Sequence, residues 1–190
     1  LWLKLDARQV LDNFYNVAKK SDPEYREVYL ASGNLALGKN DFETSANVFF
    51  EALRKFSEDP DIHFGLAQSF ASGDREVAIE HLKKTLELNP NHVAAMLMRV
   101  DYMIDSERYA AANETLQQAM KVNPWSPEAW AYQAVLEHLD NNPKGEALAR
   151  EKGLRYWAAN PEVDHLIGKK LSGKYRFKEG AAYQRRALKS

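Results

Sequence analysis

The sequence predicts an all-α fold, a solenoid of antiparallel helix pairs with about 11 helices. Two observations predict it. Small residues recur every 33 or 34 residues, at Ala18, Ala52, Thr85, Ala119, Gly153 and Ala187. With Pro143 set aside, the prolines of the Asn-Pro and Asp-Pro dipeptides, which favour helix ends, are spaced 37, 30, 34 and 37 residues apart. A period of 34 suits one helix-turn-helix unit and is too long for a heptad repeat.

The helices are delimited by turn residues. They are predicted over 6–20, 25–38, 41–57, 60–72, 75–88, 92–105, 108–122, 127–140, 144–159, 162–173 and 177–189. Gly38-Lys39-Asn40-Asp41 and Ser172-Gly173 are typical turn sequences. Pro127, Pro143 and Pro161 are expected in first turns, where a missing backbone N–H costs nothing.

Laid on this period, the chain resembles the tetratricopeptide repeat (TPR) family. The family pattern has aromatic residues at positions 4, 17 and 24, small residues at 8, 20 and 27, and proline at 32. The first repeat matches it through Tyr29, Gly33, Phe42, Ser45, Phe49 and Ala52, and the third through Tyr109, Ala112, Leu116, Ala119 and Pro124. The fifth matches through Gly168, Phe177, Gly180 and Ala187. The resemblance implies a right-handed α-solenoid.

The repeat boundaries follow from the same alignment. Residues 1–25 are the second helix of a truncated preceding repeat, followed by repeats at 26–58, 59–92, 93–126, 127–160 and 161–190 in one continuous solenoid. Because the chain starts midway through a repeat, we expect it to be a piece of a longer array. The repeat style suits a bacterial protein.

Composition and motifs exclude several classes of protein. The formal charge is −1, which argues against a general nucleic-acid binder, and no apolar run is long enough to span a membrane. The chain has no Cys, which removes thiolate metal sites and cysteine nucleophiles. No protease, hydrolase-elbow or phosphate-loop motif is present. We therefore expect no enzyme activity, no cofactor and no metal.

The resemblance implies a non-catalytic scaffold that binds a partner's peptide or helix in a concave groove lined by the first helix of each repeat. The expected groove residues are Leu30, Asn34, Leu37, His63, Ala67, Phe70, Leu97, Asp101, Ile104, Ala131, Val135, His138, His165 and Lys169. Apolar side chains would supply affinity and polar groups would orient the partner's backbone. The competing interpretation is that these apolar residues only pack helix against helix.

Three more specific sites are considered from the residues. The basic clamp of chaperone-binding TPR domains is matched by Asn34 alone, so chaperone tails are disfavoured. His138 and His165 could approach each other, although two histidines are a weak metal pattern. Residues 150–190 carry 11 basic and 4 acidic side chains, which indicates either an acidic partner or ordinary solvated helix faces.

Two further hypotheses concern the intact protein. The chain could be the regulatory or substrate-positioning portion of a larger enzyme, or it could self-associate through the ends of the array. We expect a soluble protein, and both cytoplasm and periplasm are compatible with the sequence.

Overall fold

The computed structural model describes residues 7–190, which form helices and turns with no β-strand. Helix α1 comprises Ala7–Val10, a π-helical segment at Leu11–Tyr15, and Asn16–Ser21. The others are α2 (Arg26–Gly38), α3 (Phe42–Leu53), α4 (Pro60–Phe70), α5 (Arg75–Leu88), α6 (Val93–Asp105), α7 (Tyr109–Val122), α8 (Pro127–Leu139), α9 (Pro143–Gly153), α10 (Pro161–Gly173) and α11 (Phe177–Ala187). The predicted all-α fold with about 11 helices is confirmed over the described residues. Residues 1–6 of the predicted truncated repeat lie outside them.

The helices belong to two compact units. Unit 1 ends at His92 and contains α1 to α5, whereas unit 2 begins at Val93 and contains α6 to α11. Within each unit, the first helix of a repeat packs on the second helix of that repeat, and the second packs on the first helix of the next. The first helices of neighbouring repeats are also in contact, as α2 is with α4 and α8 is with α6 and α10. This is the packing of a TPR-type solenoid.

Polar caps and prolines start the helices. Asp59, Ser126 and Asn160 cap the first helices of three repeats by accepting backbone N–H groups, and a proline follows each cap. The predicted placement of Pro127, Pro143 and Pro161 in first turns is confirmed.

One turn geometry joins the two helices of most repeats. Asn40, Glu107, Asn141 and Tyr175 all have φ between 56° and 61°. In each turn the left-handed residue donates its N–H to the carbonyl three residues back, and the next residue donates to the carbonyl five back. These bonds form a Schellman motif, which satisfies the last free carbonyls of the first helix. The turn of the second repeat has no residue with positive φ.

Small residues let the helices approach closely. Ala52, Thr85 and Ala119, from the 34-residue series, are completely buried. Phe49 is also completely buried and lies between Gly33 of α2 and Gly65 of α4. A Cβ atom on either glycine would overlap the Phe49 ring. The core of unit 1 therefore depends on an aromatic ring that packs directly against the backbone of two glycines.

The second helix of the fourth repeat is shorter than predicted. It ends at Gly153 rather than at residue 159. Leu154 and Arg155 donate to carbonyls three residues back, which tightens and closes the last turn. Residues 154–160 consequently form a loop that carries Arg155, Tyr156 and Trp157.

Candidate functional site

The exposed face of α2 carries four of the positions that the repeat pattern directs toward a groove. Glu27 and Asn34 are exposed, whereas Leu30 and Leu37 are half-buried. Both leucines pack against the core cluster that contains Tyr29 and Phe49. The side-chain amide of Asn34 has no hydrogen-bond partner among the described residues. This face therefore combines apolar contact area with a free amide group.

In the second repeat, the predicted groove residues face neighbouring helices. His63 is only 7% exposed, and its Nδ1 lies 3.0 Å from Nδ1 of His81 on α5. Its Nε2 lies 3.1 Å from the carbonyl oxygen of Ser57. Ala67 is completely buried, and the Phe70 ring packs edge-on against Phe50 of α3, 5.9 Å between centroids. These side chains connect α4 to α3 and α5.

A recurring hydrogen bond explains this placement of His63. Tyr29 Oη and Trp130 Nε1 each donate to the carbonyl six residues earlier, at Pro23 and Pro124, and the Nε2 of His63 makes the same contact. His63 thus occupies the place of an aromatic position 4, and the second repeat runs one residue later than its sequence alignment. The Asp59 cap and Pro60, which begin α4, mark this register in the sequence.

With that register, the positions corresponding to Leu30 and Asn34 are Phe64 and Gln68. Both are half-buried residues of α4 that the sequence analysis missed. The Phe64 ring contacts His92, 4.7 Å between centroids, and Nε2 of His92 lies 3.2 Å from Asp61. Arg26 of α2 also pairs with Asp61 and with the cap residue Asp59. The amino-terminal ends of α2 and α4 are therefore joined by a polar network.

In unit 2, the predicted apolar groove residues lie in the core. Leu97, Ile104, Ala131 and Val135 are at most 1% exposed. They pack α6 and α8 into the unit and leave little area for a partner. In the described structure, their side chains serve helix packing.

A polar cluster crosses the first helices of unit 2. Lys170 of α10 is only 6% exposed, and its Nζ lies 2.6 Å from Asp101 and 2.7 Å from Asp105, both on α6. Tyr132 of α8 donates to Asp101 at 2.8 Å. Burial, reinforced by the charge of Asp101, raises the pKa of Tyr132 far above its ordinary value of 10. The phenol therefore stays protonated and remains a donor.

The other predicted groove histidines point to second helices. Nδ1 of His138 lies 3.0 Å from Glu146 of α9, which also accepts from Tyr183 of α11. Burial and this hydrogen bond raise the pKa of Tyr183. His165 is exposed and lies 3.1 Å from Gln184 of α11. His138 and His165 thus have different partners.

Among residues 7–190, no group of three or more His, Asp or Glu side chains could hold a metal ion. None of the described helices is long and apolar enough to cross a membrane. Lys169, the last predicted groove residue, is exposed on α10.

Two tetratricopeptide repeat models match the sequence, over residues 30–73 and 69–136. Together they cover residues 30–136, more than half of the chain. The chain belongs to the tetratricopeptide repeat family. No curated protein matches the sequence significantly.

Several solved TPR structures share the fold. The Pseudomonas aeruginosa protein pilF is 18% identical, with 86% of this chain and 75% of that chain covered and a TM-score of 0.67. The Cut9–Hcn1 assembly of APC/C is 15% identical, with 96% and 36% covered and a TM-score of 0.76. YrrB is 15% identical, with 93% and 91% covered and a TM-score of 0.60. The TPR fold supports a protein-interaction module, and TPR proteins are in general non-catalytic scaffolds.

Proposed function

We propose that this TPR chain is a non-catalytic protein-interaction or scaffolding module that binds an extended peptide or helix on the exposed face of α2. The observation that carries the proposal is Asn34, an exposed side-chain amide without a partner among the described residues, which lies one turn from both Leu30 and Leu37. The amide can pair with a partner's backbone N–H and C=O groups. The leucines supply apolar area that is already ordered by the core, which limits the entropy lost on binding.

Unit 2 supports the choice of α2 over the other first helices. The residues of α6 and α8 that correspond to Leu30 are Leu97 and Ala131, and both are buried. The position of Asn34 corresponds to Asp101, which already pairs with Lys170 and Tyr132. In that unit the polar groups satisfy one another, so a partner would have to displace them.

The titratable contacts support a non-catalytic role. His63 pairs with His81, and His138 pairs with Glu146 beside Tyr183. Each pair joins two helices of the solenoid, so these side chains have a role in helix packing. The description of the solved YrrB as a TPR protein with an unusual peptide-binding site agrees with peptide binding by such a surface.

The proposal is tested by quantitative affinity capture with the 190-residue chain. Asn34→Ala and Leu37→Lys should each deplete the same set of captured proteins at least tenfold. Asn47→Ala removes an exposed amide from α3 and is the matched control. A charge at Leu97 or Val135 would be a poor test, because both side chains are buried and the fold itself would suffer. Unchanged capture by both α2 variants would contradict the proposal.

A further inference from the structure

Three exposed side chains, Trp125, Arg155 and Tyr156, are in contact where two loops of unit 2 meet. Trp125 lies in the loop between α7 and α8, and Arg155, Tyr156 and Trp157 lie in the loop between α9 and α10. The aromatic side chains are 56%, 70% and 59% exposed, in the order Trp125, Tyr156, Trp157. We call Trp125, Arg155 and Tyr156 the aromatic–arginine patch. Two large exposed rings that contact each other and a cation are unusual on a surface with no binding role.

The patch is held in a defined geometry. The Trp125 and Tyr156 rings meet edge to face, 5.6 Å between centroids and 80° between planes. The Arg155 guanidinium lies 5.4 Å from the centre of Trp125 and 5.6 Å from that of Tyr156. Cation–π contacts of this kind orient the guanidinium fork without neutralising its charge.

The loops beneath the patch are anchored. Trp130 Nε1 donates to the Pro124 carbonyl at 2.8 Å, and Lys152 Nζ lies 4.4 Å above the Trp130 ring. A Cβ atom on Gly153 would lie 3.4 Å from both Pro127 O and Trp130 Cβ, so the end of α9 presses against the start of α8. Because the support is rigid, binding to the patch would order few additional side chains.

Arg155 of the patch and the neighbouring Lys152 are not paired with a carboxylate within residues 7–190. Neither Arg155 nor Lys152 forms a salt bridge with any described carboxylate, whereas Arg150 and Lys170 of the same unit are both paired. Segments 121–126 and 152–160 contain Lys121, Lys152 and Arg155 and no Asp or Glu. The patch thus presents a planar cation that is free to pair with a carboxylate.

We infer that the aromatic–arginine patch is a second protein-binding surface, separate from α2, that takes an acidic segment of a partner protein with a proline or apolar side chain next to its Asp or Glu. Trp, Tyr and Arg are the residues that dominate binding energy at protein interfaces. The guanidinium would pair with the carboxylate in a bidentate contact. The exposed rings would cover the neighbouring proline or apolar group, as aromatic platforms do for extended peptides.

The test is a selection of random dodecapeptides on the 190-residue chain, followed by affinity measurements with fluorescently labelled peptides. We expect a class of selected peptides with Asp or Glu beside a proline or apolar residue. Trp125→Ala and Arg155→Ala should each raise the Kd of that class at least tenfold. Arg155→Lys should also weaken binding, since a lysine keeps the charge and loses the fork.

Matched controls separate this surface from others. Tyr175→Ala and Arg185→Ala remove an exposed aromatic and an exposed cation elsewhere in unit 2, and should change the Kd less than twofold. Asn34→Ala should leave this class unchanged while it weakens peptides that bind α2, so the two proposals fail separately. Circular dichroism should be the same for all variants, because the altered side chains are exposed.

Two results would overturn the inference. The first is a selection in which no acidic peptide class depends on Trp125 and Arg155. The second is binding to vesicles of phosphatidylglycerol that depends on these two residues while acidic peptides do not bind, which would assign the patch to a lipid surface.

Discussion

Lys170 of α10 forms an ion pair with Asp101 of α6, 2.6 Å from Nζ to Oδ1, although 69 residues and a whole repeat separate them in sequence. The repeat between them contributes Tyr132, which donates to the same carboxylate. The first helices of three successive repeats are therefore joined through one aspartate. Asn34 occupies the same repeat position in unit 1, but its side-chain amide has no hydrogen-bond partner among the described residues.

Replacing Lys170 with Met should destabilise unit 2 by about 2 kcal/mol. Exposed ion pairs contribute about 0–1 kcal/mol, and loss of one partner from a buried pair costs about 3–5 kcal/mol. The expected cost lies between those of exposed and buried ion pairs, because Lys170 is buried whereas the side chains of Asp101 and Asp105 remain 26% and 41% exposed. Urea unfolding measures the difference. Lys169→Met, at the exposed neighbouring position, should change stability by less than about 0.5 kcal/mol. Equal losses of stability in the two variants would contradict a stabilising ion pair at Lys170.

Gly33→Ala should destabilise unit 1 by about 1–2 kcal/mol. The added Cβ would lie 2.5 Å from Cζ of Phe49, and overpacking of this kind costs about 1–3 kcal/mol, partly offset by the better helix propensity of alanine. Gly38→Ala, where no atom of another packed element lies within 4 Å of the new Cβ, should be neutral or stabilising in the same urea experiment. Phe49→Leu should recover part of the loss when it is combined with Gly33→Ala, and should itself destabilise the otherwise unchanged chain.

Stability should fall below pH 6.5 through His81. Burial, followed by the charge of the facing His63, lowers the pKa of His81 from its ordinary 6.5, while Glu80 opposes this shift. The unfolded chain therefore binds a proton near pH 6.5 that the folded chain still excludes, so unfolding becomes easier as the pH decreases. Above pH 6.5 the contribution of His81 to stability is complete.

The histidine tautomers follow from the same contact. Since the Ser57 carbonyl can only accept, Nε2 of His63 is the donor, and its Nδ1 accepts from Nδ1 of His81. Unfolding free energies at pH 7.5 and 5.5 should differ more for the wild-type chain than for His81→Gln. An NMR titration that places the His81 pKa at or above 6.5 would contradict this prediction.

Tyr175→Gly should stabilise the chain by about 1 kcal/mol. Tyr175 has φ of 61° in the Schellman turn before α11, a conformation that costs a non-glycine residue about 1–2 kcal/mol. Its side chain is 82% exposed and contacts the Phe177 ring, so little packing is lost. Asn141→Gly, at the equivalent turn, should gain less, because asparagine tolerates this conformation. A destabilised Tyr175→Gly protein in thermal unfolding would show that the side chain contributes more than the strain.

The 34-residue period was sufficient to predict the helices and their order, because small residues at fixed spacing are required for close packing. The periodic residues Ala52, Thr85 and Ala119 are indeed buried. Where the repeat pattern is degenerate, it does not specify the register of the first helix. In the second repeat, His63 replaces the aromatic residue of position 4, and its hydrogen bond to Ser57, together with the Asp59 cap, identifies that position.

The contacts between distant repeats could not be predicted from sequence. Nothing in the local pattern around Lys170 specifies Asp101 as its partner, since the pair depends on how three helices stack. The same holds for Trp125 and Tyr156, which become neighbours because α9 ends at Gly153 and the following residues form a loop. The 34-residue period predicts the helices, whereas the side-chain contacts between repeats depend on how those helices pack.

The most direct test of the proposed function is an NMR titration of the isotope-labelled chain with a peptide from a captured partner. We expect the Asn34 side-chain amide and the Leu30 and Leu37 methyl groups to shift, with smaller changes in the neighbouring face of α4. Asn34→Ala should raise the Kd of this peptide at least tenfold. Shifts confined to the second helices of the repeats, with the Asn34 amide unchanged at saturation, would contradict peptide binding on α2.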